Sequence, residues 1–464
     1  MLERIKKLFQ ATDMTVGEPW KQILMFTLPM LIGNIAQQLY STVDSIVVGK
    51  YVGDNALSAV GSSAPILNLL LVLFVGISMG AGIVVSQYFG AKQREDLSYA
   101  IGNCITLTAI ASLIIMVAAI VVTRPLLELL KTPASIIDWC HSYLLILLVG
   151  CVGSAYYNIL GGILRGLGDA FSSLVYLLVA TVINIVLDIL FVAKFNMGVD
   201  GVAWATIIAQ TVSAVLCYRR LTKMMDVFDI KPKYMKLHKK YSMMVIKLGV
   251  PSGLTQAIFS MAMIVVQSLT NSFGEMFIAA NVIVMRVDGF AMLPNFSFGT
   301  AMTTYAGQNV GAGKYDRVTK GAKQGTILAL ATSTILTGLI LLFGKQLMGI
   351  FTETTELVDL SRNMMGIIAA GYIAMAVTQS LSGVMRGAGD TMTPMWISLF
   401  TTVLVRVPVA YGIAALTKSA EFPNGRQECI FISLLCSWLL GALITAICYL
   451  KGNWKKKALG MTEN

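Results

Sequence analysis

Gly162-Ile-Leu-Arg-Gly-Leu-Gly-Asp169 and Gly383-Val-Met-Arg-Gly-Ala-Gly-Asp390 are two copies of one turn, 221 residues apart. Long apolar runs lie on both sides of each copy. Downstream of the first comes Ser173–Val192, SLVYLLVATVINIVLDILFV, twenty residues with a single formal charge at Asp188. A run of this length and polarity matches the hydrocarbon thickness of a bilayer when helical. Such runs recur along the whole chain with short polar breaks. The predicted fold is therefore all-α and polytopic, because in lipid only a helix or a closed barrel satisfies its own backbone.

The composition agrees. Of 464 residues, 56% are hydrophobic and 13% charged, about half the charged fraction of a soluble domain. Twelve spans are predicted, from Ile23–Val48 to Ile430–Leu450. The basic stretch 219–241 divides them into a six-helix bundle at 1–218 and another at 242–452, followed by a tail at 453–464. Most Lys and Arg residues fall in the termini, the central linker and alternate breaks, which places both ends and the linker in the cytoplasm of a cell (plasma or inner) membrane. The net charge of +11 is thus a sidedness signal, and no nucleic-acid partner is expected. Lys455, Lys456 and Lys457 read first as part of this basic flank and second as an anionic-lipid contact. The start, MLERIKKLFQ, spaces Leu2, Ile5, Leu8 and Phe9 as a surface-lying amphipathic helix does; a frayed terminus is the other reading.

Other positions repeat with nearly the same offset. Gln87-Tyr-Phe-Gly-Ala-Lys92 pairs with Gln308-Asn-Val-Gly-Ala-Gly-Lys314, and Pro29 with Pro251. Six spans per copy is an even number, so both copies enter the membrane in the same direction. A pseudo-two-fold axis along the membrane normal follows. The R-G-x-G-D turns read as staples at the ends of spans four and ten. No strand precedes them and no GK[ST] follows, which argues against a phosphate loop. Seven scattered cysteines without CxxC spacing read as small hydrophobes, and two histidines do not supply a histidine-rich metal site.

With the doubled plan, Q-x-x-G-A and R-G-x-G-D in both halves, and Leu28-Pro29 followed by LYSTVDSIVVG at 39–49, the chain resembles the multidrug and toxic compound extrusion (MATE) family over essentially its whole length. The resemblance implies a two-bundle secondary transporter, and no enzyme, that exports amphipathic, cationic, drug-like organic compounds by alternating access against entry of H+ or Na+. It implies no cofactor besides that coupling ion, and internal duplication fits a monomer. The family's N-lobe cation site falls on Asp44, Asn184, Asp188 and Thr206 in this sequence. Read from the residues alone, Asn184 and Asp188 are four apart and share a helix face, and acids inside a membrane mark ion paths. Two carboxylates with an amide and a hydroxyl are hard oxygen donors for Na+. The same carboxylates can instead share one proton, or simply cap helices and pair with Arg.

The second half has Val405 and Val409 where the first has Asn184 and Asp188, so the acid site is not duplicated. Span seven offers Gln256 and span ten Gln379, with no acid. That departure favours a DinF-like or related N-lobe-coupled branch. Gln37, Gln256, Arg286, Asp288, Gln379 and Arg406 are the remaining candidates for a substrate cleft or gate, with structural pairing as the other reading of the charged ones. Arg406 is expected to satisfy carbonyls freed by Pro408, and Pro29 to act as a hinge, with Pro65 a second candidate. A lipid-linked saccharide flippase of the same superfamily would need a strongly cationic cavity, whereas Arg286 and Arg406 are the Arg residues inside spans. An integral-membrane enzyme would need a catalytic constellation such as HExxH, which the chain lacks.

Overall fold

The computed structural model describes residues 11–129 and 132–455. The N-terminal MLERIKKLFQ and the tail lysines Lys456 and Lys457 lie outside the described residues. Everything regular in the described chain is helical. The first half contains α1 (Pro19–Tyr51), α2 (Asp54–Gly90), α3 (Arg94–Leu129), α4 (Ile137–Val149), α5 (Cys151–Gly166), α6 (Ala170–Asp188) and α7 (Gly198–Thr222). The single turn α8 (Pro232–Met235) leads into the second half. There follow α9 (Lys239–Asn271), α10 (Glu275–Ala291), α11 (Leu293–Gly311), α12 (Tyr315–Leu342), α13 (Gly344–Gly349), α14 (Thr355–Ala369), α15 (Gly371–Gly387), α16 (Met392–Leu399), α17 (Val407–Leu416) and α18 (Cys429–Leu450). π-helical segments, Ile189–Lys194 and Phe400–Arg406, extend α6 and join α16 to α17.

Among the described residues nine helical stretches are long and apolar enough to cross a membrane, and the bent pairs α4–α5 and α14–α15 raise this to eleven. Of the 37-residue α2, Phe74–Gly90 counts as a shorter apolar helix. Apolar side chains face outward along them, among them Ile114, Ile120 and Val121 on α3. Lipid replaces water as the partner of such a surface. The protein is thus an all-α, multi-pass membrane protein.

The duplication is visible in the backbone. α4–α5 bends by 50° at Gly150, and α14–α15 bends by 43° before Gly371, 221 residues later. Left-handed backbone recurs at the same offset: Gly53 and Gly274, Lys92 and Gly313, Gly168 and Gly389. In the R-G-x-G-D turns the aspartate is a helix cap. Asp169 accepts from the Ser172 amide at 3.0 Å and its hydroxyl at 2.8 Å. Asp390 does the same with Thr393, at 3.1 and 2.7 Å. This satisfies donors that a helix start leaves open. Arg165 instead reaches Ser173 at 3.4 Å, and Asp169 pairs with Arg220 at 2.7 Å. The staple reading holds for the aspartates, and the arginine of the same turn is not the partner of Asp169.

The chain forms two compact units. One contains Ile32–Gly253 with the described part of Met1–Asp13; the other contains Met14–Leu31 with the described part of Leu254–Asn464. Two of the three boundaries fall inside helices, two residues after Pro29 in α1 and two after Pro251 in α9. Each exchanged segment is tied down by polar contacts. In the second unit, Met14 N–H donates to Gln308 Oε1 at 2.8 Å, Lys314 Nζ to the Thr15 carbonyl at 2.9 Å, and Arg317 Nη1 to the Gly17 carbonyl at 2.9 Å. In the first unit, Arg94 donates to the carbonyls of Met225 and Asp226 at 2.7 Å, and Asn103 receives the His238 amide at 2.7 Å. A hydrogen bond from Arg94 also holds the half-buried Asp229 carboxyl below the usual carboxylate range. A lowered folded-state value means that this contact helps at neutral pH and fades as pH falls below about 4.

The start of α9 lies against α2 backbone to backbone. A Cβ on Gly76 would sit 2.7 Å from the Gly249 carbonyl, and one on Gly80 would strike the Val245 carbonyl and lie 2.8 Å from Gly249 N. Small residues permit such contact between membrane helices. Gly80→Val should cost about 1–3 kcal/mol, read as a clear fall in unfolding temperature in detergent. Gly338→Ala, at a helical position with open space around it, should not lower that temperature.

Candidate functional site

In the first unit, α1 and α6 bring their acids together. Asn184 and Asp188 are fully buried on one face of α6, and Asp44 is half-buried on α1. The Asn184 amide is oriented with its nitrogen toward both carboxylates, the orientation that satisfies its neighbours. It then donates to Asp44 Oδ1 at 2.8 Å and to Asp188 Oδ2 at 3.0 Å. The Asn184 amide thus bridges the two carboxyl groups. Asp188 Oδ1 is buried and has no hydrogen-bond partner.

Thr206 on α7 joins this group through a residue that the sequence reading did not single out. Tyr40 Oη donates to Thr206 Oγ1 at 3.1 Å. Tyr40 is one helical turn before Asp44, so the i, i+4 rule that exposed Asn184 and Asp188 would have exposed it too. Tyr143 on α4 lies within electrostatic reach of both acids. Below them Val47, Val48, Val192, Val202 and Ala203 form an apolar cluster with Tyr143.

This arrangement is chemically incomplete in one respect. A carboxylate oxygen shielded from water and lacking a donor is costly. Two adjoining carboxylates are accommodated when a proton or a cation is shared between them. Both ions fit the donor set. The Asn184 contribution differs from the expected one: its N–H groups hold the carboxylates, and its oxygen is turned away from them.

The other candidates do not form one group. Gln37 and Gln256 are exposed on α1 and α9. Within the second unit, Arg286 is exposed while Asp288, two residues later, turns inward and accepts the Tyr372 hydroxyl at 3.0 Å. Gln379 is buried beside Gly299 and Arg386. Arg406 ends the π-helical segment and is 8% exposed. Its Nε is buried without a hydrogen-bond partner, so this nitrogen does not satisfy a carbonyl freed by Pro408. All seven cysteines are free and five are buried.

A family model described as MatE matches residues 29–190 and, a second time, residues 251–412. The chain belongs to the MatE family. The two matches start at the paired prolines, Pro29 and Pro251. Among curated relatives of this MatE protein, the "Probable multidrug resistance protein YoeA" of Bacillus subtilis (strain 168) is 30% identical over 86% of this chain and 88% of that protein. The "Probable multidrug resistance protein YpnP" of the same organism is 29% identical over 97% of this chain and 99% of that protein. Among solved structures, the "Outward-facing conformation of a multidrug resistance MATE family transporter of the MOP superfamily" superposes with a TM-score of 0.89 at 21% identity. It covers 98% of this chain and 99% of that one, which shows the two-lobe fold.

Asn184→Ala would leave the two carboxylates without their bridging donor. The expected loss is about 1–3 kcal/mol, larger at pH 8 than at pH 5.5, since protons replace the missing amide at acid pH. Thermal unfolding of the purified variant across this pH range checks both magnitude and sign.

Proposed function

We propose that this MatE protein is a secondary active multidrug exporter, driven by H+ or Na+ entry and working by alternating access. Its substrates are amphipathic organic compounds, mainly cationic. The observation that carries the reading is the Asp44–Asn184–Asp188 group, in which Asn184 and Asp188 are buried and one Asp188 oxygen is orphaned. The printed names of YoeA and YpnP, both probable multidrug resistance proteins, support the direction and breadth of transport.

In the proposed cycle a cation from outside binds between Asp44 and Asp188 and neutralises part of their charge. The carboxylates then no longer need both Asn184 donors, and Tyr40 exchanges its bond to Thr206 for one within the site. Asp44 and Tyr40 lie on α1, so the change is passed along that helix toward Pro29, which cannot donate to the Met25 carbonyl and leaves a weak point there. Substrate leaves on the outer side and the cation is released inside. Each charge moving inward supplies about 2.3 kcal/mol per 100 mV, so no nucleotide is required. Both termini and the linker lie in the cytoplasm in this reading.

Asp44→Asn and Asp188→Asn should each reduce dye export to background at normal expression. Proteoliposomes with ΔpH and ΔNa+ imposed separately identify the ion. Full export by both variants would overturn the site assignment. Export by the unaltered protein with neither gradient nor potential would overturn ion coupling.

A further inference from the structure

Within the second unit the start of α1 runs beside the start of α12, and three contacts set their register. Glu18, just before α1, pairs with Lys320 at 3.6 Å. The Trp20 N–H donates to Gln324 Oε1 at 3.1 Å. Ile23 packs against Gly325, where an added Cβ would sit 3.2 Å from the Ile23 Cδ1. The partner numbers rise together, 302 to 304 residues apart, so the two helices are parallel. At that spacing Lys21 is level with Lys323, Met25 with Ile327 and Leu28 with Ala331, and all six are exposed.

This seam changes character along its length. Residues 14–24 and 314–325 together hold five basic side chains and two acidic ones, Glu18 and Asp316. Three of the basic groups have partners: Lys320 takes Glu18, while Lys314 and Arg317 hold the carbonyls of Thr15 and Gly17. Lys21 and Lys323 form no ion pair within 4.0 Å among the described residues. Lys21 Nζ lies over the ring of Trp20, 5.5 Å from its centroid. One turn further into the span the seam is apolar, with Met25 63%, Ile327 53% and Leu28 49% exposed. Trp and Lys favour the level at which acyl chains give way to headgroups, and the apolar turn below them faces the chains.

We infer that the seam between α1 and α12 binds one anionic phospholipid. Its phosphate lies between Lys21 and Lys323 beside the Trp20 indole, and an acyl chain covers Met25, Ile327 and Leu28. A soluble anion matches the two ammonium groups and leaves the apolar turn to other molecules. A zwitterionic phospholipid brings its own amine to its phosphate, so the lysines gain little from it. A lipid of net negative charge matches both ends of the seam. The bound lipid ties the start of α1 to α12 and adds to the hold that Lys314 and Arg317 already have on the residues before it. The inference needs only a membrane-embedded chain and is independent of what the protein exports.

The test uses the full-length protein in phosphatidylcholine nanodiscs with a trace of phosphatidylglycerol that bears a photoreactive diazirine on its acyl chain. Peptide mapping after illumination should find the label on the seam, between Trp20 and Leu28 or between Lys323 and Ala331. Unlabelled phosphatidylglycerol should displace that label about tenfold more effectively than added phosphatidylcholine, and molar salt should narrow the difference. Lys21→Gln combined with Lys323→Gln should remove the advantage of phosphatidylglycerol, and Arg at both positions should keep it. Equal displacement by the two lipids in the unaltered protein would overturn the site. So would an advantage that survives the double Gln substitution, or label that avoids both stretches. Displacement by glycerol phosphate as effective as that by the lipid would overturn the lipid as occupant. The unaltered protein decides the question even where a variant does not fold.

Discussion

Inside the hydrocarbon layer nothing outside the protein donates or accepts a hydrogen bond, and the rest of this structure follows from that constraint. The backbone closes on itself as helices. Hydroxyls in the spans turn back to the carbonyl one turn earlier, as Thr27 does to Ile23 at 2.7 Å and Thr123 to Ala119 at 2.6 Å. Where helices approach most closely they do so through glycine, as at Gly76 and Gly249. Against this background, a polar atom left without a partner is conspicuous. Asp188 Oδ1 in the first unit and the Nε atoms of Arg386 and Arg406 in the second are the charged groups among these exceptions.

The paired acids show how a single amide sets the character of a site. Asn184 holds both carboxylates on fixed donors, so the pair is preorganised before any ion arrives. A hydroxyl at this position would offer one donor for two acceptors. The amide offers two, at distances of 2.8 and 3.0 Å. Because Asp44 is on α1 and Asn184 on α6, the amide is also a tie between helices, and the ion that competes with it acts directly on their packing.

Much of this was legible in the residues. The 221-residue offset gave the duplicated architecture because the repeated elements are turns, and turns need particular residue types at particular positions. The acids stood out because charge is rare in an apolar run. Tyr40 did not, because a tyrosine in a membrane helix attracts no notice until its partner is known. The inward turn of Asp288 and outward turn of Arg286 follow from helical geometry, but which of the two faces the interior depends on neighbours such as Tyr372, more than eighty residues away. The division of α1 and α9 between the compact units was not legible. Both helices are continuous, and the contacts that divide them are long-range. Pro29 and Pro251 marked the places without revealing what changes there.

The exchange of segments has a consequence for how the protein is made. The Met14 N–H donates its hydrogen bond to Gln308, 294 residues later. At about 5–20 residues per second, the segment that begins α1 leaves the ribosome roughly 15–60 s before its partner exists. The linker before α9, by contrast, finds Arg94 and Asn103 already synthesised. Assembly therefore has a direction. The first unit can close as α9 enters the membrane, while the second stays open at one place until α11 and α12 are inserted and the oldest part of the chain is finally captured.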